Sequence, residues 1–180
     1  MKVINLAAGP GAGKSTTAAG LFNIMKLKGF KVEMVTEFAK ELTYDKAEGT
    51  LSNQLLVFAE QENRIRRLAL DGNVEYVITD SPIILSLVYA NRKEFGEWFV
   101  RTALEVNSKY QNRYWIIKRN KPYATYGRNQ TEAQARELDK KIEDLVNTVS
   151  GGLYDTVYGD EMAPLIIYNE MFGELRSTDV

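Results

Sequence analysis

Residues 8–16 read Ala-Gly-Pro-Gly-Ala-Gly-Lys-Ser-Thr, and no other stretch constrains the fold as tightly. The run follows an apolar, strand-like segment, Val3-Ile4-Asn5-Leu6-Ala7, and opens a helical pattern. Strand, glycine-rich turn and helix in that order make a loop whose backbone N–H groups turn inward around phosphate oxygens. Gly9, Gly11, Ala12 and Gly13 form the turn, and Lys14 adds a mobile cation. Ser15, followed by Thr16, offers a hydroxyl to Mg²⁺ at the helix N-terminus. The usual pattern is Gly-x-x-x-x-Gly-Lys-Ser/Thr; here Ala8 holds the first glycine's place, with Gly9 directly after it. A simple Gly-Pro-Gly turn would not require Gly-Lys-Ser-Thr after it or a strand before it.

The chain has 180 residues, 44% of them hydrophobic. It shows no apolar run approaching the ~20 residues of a membrane span. One domain over residues 1–180, burying about 70% of its unfolded surface, is expected. A net charge of −1 gives no bulk attraction to nucleic acid, although a local basic stripe stays open. Cysteine and histidine are both absent, which removes thiol nucleophiles, His general bases and Cys/His metal sites. Chemistry is left to carboxylates, hydroxyls, Lys and Arg. Lys2 leads straight into the first strand with no signal-peptide pattern, so a cytoplasmic protein is expected.

Ala18, Leu21, Phe22 and Met25 recur at helical spacing until Gly29, and a second strand is expected over 31–36. Leu51, Leu55, Phe58, Ile65 and Leu68 predict a long amphipathic helix ended by Asp71-Gly72-Asn73, then a third strand over 74–79 with Asp80 at its carboxyl end. Ser81-Pro82 opens another helical stretch. Phe95, Trp98, Phe99, Val106 and Tyr110 mark a further helix, its aromatics read as core packing. The fourth strand is expected over 114–117 and a basic loop over 118–130. Thr131 and Gln134 then read as a capping box for a helix carrying Leu138, Ile142, Leu145 and Val149 to Ser150-Gly151-Gly152. The apolar run over 165–167 is read as a short fifth strand. Strands alternating with helices imply a parallel sheet with ligands beyond its carboxyl ends, where the phosphate loop, Glu37 and Asp80 all fall.

Phosphate loops serve kinases, GTPase switches and mechanical ATPases, and the neighbouring residues separate them. A switch would show Asp-x-x-Gly after the third strand, but Asp80-Ser81-Pro82-Ile83 has no such glycine. Asn120-Lys121-Pro122-Tyr123 begins like a guanine-reading motif yet lacks its carboxylate. A hydrolysing motor would place Glu after the Mg²⁺-associated Asp, and Ser81 occupies that place. Arg119 and Arg128, in the basic loop, are suited to stabilise charge on transferring phosphoryl oxygens, and a closing lid would exclude water.

These residues resemble the small P-loop kinases, particularly the ribosylnicotinamide-kinase-like ATPases and related phage-encoded nucleotide kinases, a group of AAA-type, ATPase-like nucleotide-binding proteins. Its carriers are the 8–16 loop, Thr36-Glu37-Phe38-Ala39-Lys40, Thr79-Asp80-Ser81-Pro82 and the 119–130 lid, together spanning most of the chain. The resemblance implies a three-layer α/β fold with a five-stranded parallel sheet ordered 2-3-1-4-5. It also implies ATP and Mg²⁺ at the loop, Ser15 and Asp80 at the metal, and Glu37 orienting the acceptor hydroxyl. Arg64, Arg66 and Arg67 fall where related kinases hold the acceptor, but solvent exposure explains them equally well.

The expected activity is ATP- and Mg²⁺-dependent phosphoryl transfer to a nucleoside- or nucleotide-like small molecule. Lys14, Glu37, Asp80, Arg119 and Arg128 are the expected catalytic residues. A DNA acceptor, at a strand terminus or a hydroxymethylated base, is one alternative, and a regulatory module holding ATP without transfer is another. If the chain is phage-encoded, the host cytoplasm is its expected setting. Acceptor identity and oligomeric state have no signature in the sequence.

Overall fold

The computed structural model describes residues 1–120 and 131–173. The first strand, β1 (Lys2–Ala7), is buried on both faces from Val3 onward, as a central parallel strand must be. It runs through the phosphate loop into α1 (Lys14–Leu27), whose Ala18, Leu21 and Met25 are buried at helical spacing. Gly29, at φ 82°, turns the chain back toward β2 (Val32–Val35). There follow α2 (Phe38–Tyr44), α3 (Glu48–Ser52), α4 (Gln54–Asp71) and β3 (Tyr76–Thr79). After a 3₁₀ turn over Ile83–Leu85 come α5 (Ser86–Tyr89), α6 (Arg92–Asn107) and β4 (Gln111–Lys118). The described chain closes with α7 (Glu132–Ser150), β5 (Tyr154–Tyr158) and α8 (Ala163–Phe172).

The five strands form one parallel sheet in the order β2-β3-β1-β4-β5, as the resemblance implied. Alternation along β1 divides the core. Val3 and Ala7 pack with Phe58 and Ile65 of α4, Phe99 of α6 and Ile142 and Val146 of α7. Ile4 and Leu6 pack on the opposite face with Leu21 and Met25 of α1 and Ile167 and Phe172 of α8. Each fully buried Ile or Leu contributes about 1.5–3 kcal/mol, so both layers press on the strand that carries the phosphate loop.

Four expectations are corrected. The fifth strand is Tyr154–Tyr158, and 165–167 lies inside α8. An apolar triplet fits a helix as well as a strand; here Ala163, Pro164, Ile167, Tyr168 and Phe172 are buried at helical spacing, and Pro164 sits in the first turn, where its missing N–H costs nothing. The long helix begins at Gln54, not near Leu51, because the Asn53 side chain accepts the Leu56 N–H at 3.2 Å and caps a new start. Leu55 is consequently exposed, and Val57, Phe58, Gln61 and Ile65 form the buried face. In α6, Gly96 leaves helical geometry (φ 60°, ψ −170°); Phe95 and Phe99 are buried, but Trp98 is 52% exposed, its ring edge-to-face with Phe99. The capping box at Thr131 and Gln134 is present as expected, with both reciprocal bonds formed.

Candidate functional site

The phosphate loop leaves β1 between β3 and β4, and two glycines give it its shape. Gly13 has φ 110° and lies against Gly159, the residue after β5. A methyl group on Gly9 would come within 2.7 Å of the Ala135 carbonyl oxygen and of the Asp139 carboxylate. A side chain at either position would push the loop out of its seat.

Lys14 opens α1, and its Nζ turns back over the loop to donate to the Ala8 and Gly9 carbonyl oxygens at 3.0 and 3.3 Å. Lys14 is itself buried, and a phosphate oxygen entering the loop would replace those carbonyls as the partner of its ammonium. Ser15 donates its hydroxyl to Asp80 Oδ2 at 2.5 Å, a short, charge-assisted bond joining the ends of β1 and β3. Asp80 Oδ1 is buried and has no hydrogen-bond partner among the described residues. A serine hydroxyl beside a carboxylate oxygen with spare acceptor capacity is a donor set that suits Mg²⁺ and its waters. Among the described residues no cluster of three or more carboxylates forms, and a metal that shares its shell with phosphates and water requires none.

Glu37 follows β2 and precedes α2, without a side-chain capping bond to that helix. It opens onto a cleft of about 570 Å³ shared with Lys14, Ser15, Lys40, Gln54 and Tyr89. Burial pushes its carboxyl above the ordinary carboxylate range against the pull of Lys14; Asp80 adds to the rise and Lys40 opposes it. Asp80 is likewise raised by burial, with Lys14, the Ser15 hydrogen bond and Lys40 working against the rise. Neither carboxylate caps a helix, the plainer role open to each at its strand end.

Arg119 sits just beyond β4, its side chain 5% exposed, and pairs through Nε and Nη2 with Asp139 Oδ2 at 3.2 and 3.0 Å. It is thus held against α7 beside the start of the phosphate loop. Arg128 and the rest of 121–130 lie outside the described residues. Arg64 is engaged elsewhere, bidentate to Glu41 at 2.6 and 2.7 Å and bonded to Glu60, while Arg66 and Arg67 are exposed.

The sequence reading overlooked Asp139, Gly159 and Gln61. Asp139 stands at one turn of an amphipathic helix and reads there as surface charge; only the fold brings it beneath Gly9. Gly159 is a lone glycine far down the chain, and the faint signal was its position after a β-branched, aromatic run at 154–158. Lys40, which donates to Ser15 Oγ at 3.4 Å, was noticed only as part of the segment after β2.

Among the described residues no helix is long and apolar enough to cross a membrane. No curated protein matches the chain. The model of an AAA domain family matches residues 3–154, which takes in the phosphate loop, Glu37, Asp80, β1 from Val3 onward and all of β2 through β4. With that match over most of its length and the loop at the centre of a parallel 2-3-1-4-5 sheet, the chain belongs to this AAA family of nucleotide-binding phosphate-loop proteins.

Proposed function

We propose that this protein is a kinase that moves the γ-phosphoryl group of ATP to a hydroxyl of a nucleoside- or nucleotide-like small molecule. The observation that carries the reading is the place of Glu37: a carboxylate with raised proton affinity, in one cleft with Lys14 and Ser15, on the connection after β2 and apart from the phosphate loop. A nucleotide-binding module has no use for it. An acceptor hydroxyl does.

In this reading the backbone of 9–16 and Lys14 hold the β- and γ-phosphates, and Arg119 stands at the edge of the site. Ser15 and Asp80 hold Mg²⁺, which when bound would neutralise charge on the β- and γ-oxygens. Glu37 accepts a hydrogen bond from the acceptor hydroxyl and takes its proton as the bond from that oxygen to the γ-phosphorus forms. The bond from the γ-phosphorus to the bridging oxygen breaks, and ADP leaves with the electron pair. Most of the acceleration comes from alignment and fixed charge. Buried Ser81 fills the place where a water-activating carboxylate would follow Asp80, which favours a bound hydroxyl over water as nucleophile.

The test is incubation with γ-labelled ATP and Mg²⁺ and separate pools of nucleosides, nucleoside monophosphates, ribosylnicotinamide and single- or double-stranded DNA. Label on a small molecule is the expected result. Label on DNA shifts the acceptor class, and label found only in inorganic phosphate or left on ATP overturns transfer.

A further inference from the structure

Gln61 lies on α4, 4% exposed, and reaches the junction between β2 and α2. Its Oε1 accepts the N–H of Phe38 at 3.0 Å, and its Nε2 donates to the carbonyl oxygen of Thr36 at 3.2 Å. Those are the peptide groups on either side of Glu37. A primary amide both accepts and donates from one planar group, so a single side chain brackets the residue between them.

The bracket matters because the Glu37 side chain makes no capping bond to α2, and its backbone (φ −73°, ψ 115°) is the extended geometry from which a strand enters a helix. Rotation about either dihedral of Glu37 would move one flanking peptide off the amide. Buried polar pairs of this kind are costly to break, since a lost partner leaves a desolvated group unsatisfied. The amide is itself held in place by the buried face of α4, where Val57, Phe58 and Ile65 pack.

We propose that Gln61 is the positioning residue of Glu37, fixing the direction in which its carboxylate enters the cleft. The assignment rests on the acceptor-orienting role given to Glu37 above. Gln61 lines the same cleft, so the control on Glu37 comes from the wall of the acceptor site and not from the phosphate loop.

The test uses the full chain, γ-labelled ATP and whichever pool in the assay above takes up label. Gln61→Met keeps the side chain's length and removes both bonds. The expected result is a fall in kcat of about 10- to 100-fold, the scale of a misaligned reacting group, with KM for ATP within about twofold. Gln61→Glu keeps the acceptor for Phe38 N–H, loses the donor to Thr36, and is expected between wild type and Gln61→Met; it also serves if Gln61→Met fails to fold. In a Glu37→Gln background the Gln61 substitutions are expected to change kcat by less than about twofold, because the group being aimed is already gone. A merely structural tether would lower activity equally in both backgrounds, and that result overturns the assignment. Unchanged kcat in Gln61→Met and Gln61→Glu, with kcat of Glu37→Gln lowered at least about 100-fold, overturns it while leaving the kinase reading standing. A Glu37→Gln chain as active as wild type, or no labelled acceptor in any pool, overturns the kinase reading and this role together.

Discussion

Asp139 accepts the backbone N–H of Gly9 at 2.7 Å through one carboxylate oxygen while the other pairs with Arg119 at 3.0 Å. One side chain of α7 therefore fastens the first turn of the phosphate loop to the residue that follows β4. Asp139→Ala should lower stability by about 2 kcal/mol, below the full cost of a broken buried pair because the carboxylate is 28% exposed. Urea melts of the two chains check it; equal midpoints and unchanged ATP affinity would show that the loop is held without Asp139.

Lys14→Ala should leave the fold intact, since among the described residues the ammonium donates to the loop's own carbonyls at Ala8 and Gly9. The expected structural cost is about 1 kcal/mol. ATP affinity should fall at least tenfold and label transfer should vanish. Isothermal titration with ATP alongside thermal unfolding separates the two effects, and wild-type affinity in the variant would remove Lys14 from the site.

Glu37→Gln should stabilise the protein at neutral pH, by about 0.5–2 kcal/mol, while lowering kcat for transfer by about 100- to 10,000-fold and leaving a measurable residual rate. The sign follows from burial: the folded chain holds the Glu37 proton more tightly than the unfolded chain, whose ordinary value is 4.5. Ionised Glu37 thus costs stability above its folded pKa, and that cost disappears as pH falls through it. The gap between variant and wild type should be widest at neutral pH and close below about pH 4.5, as read from denaturant midpoints across pH. A gap that widens on acidification would mean the carboxylate is stabilised as an anion.

Gly159→Ala should disable nucleotide binding although residue 159 touches no phosphate. Its new methyl group would overlap the Ala12 carbonyl oxygen and crowd Ile117. Overpacking of this kind costs about 1–3 kcal/mol, and the loop is the softer partner. Lower melting temperature together with at least tenfold weaker ATP binding is expected; a variant that binds ATP normally would show the loop tolerates the shift.

What was legible in the sequence followed local rules. The strand, loop and helix of residues 3–25, the stop at Gly29 and the capping box at Thr131 and Gln134 each depend on neighbours a few positions apart. The apolar triplet at 165–167 failed because hydrophobicity alone carries no period, and the deciding partners, such as Leu21 and Met25, lie more than a hundred residues away. Lys14 and Ser15 were singled out by the Gly-Lys-Ser motif, and Glu37 and Asp80 by their places just after strands, where sequence order already predicts a ligand. Gln61, Asp139 and Gly159 act on backbone groups of distant segments. A hydrogen bond to a main-chain N–H leaves no trace in the partner's residue type, so nothing at positions 9, 12 or 38 announced them.

The contact between Gly159 and the turn at Ala12–Gly13 also sets an order of events during synthesis. The 8–16 motif is translated ahead of the surface it rests on, which follows some 140 residues later, at about 5–20 residues per second. For those seconds the ribosome carries a phosphate-binding sequence without the backbone that shapes it. Nucleotide can therefore reward this fold only once Gly159 is in place, and ligand binding becomes a late step in shaping the loop.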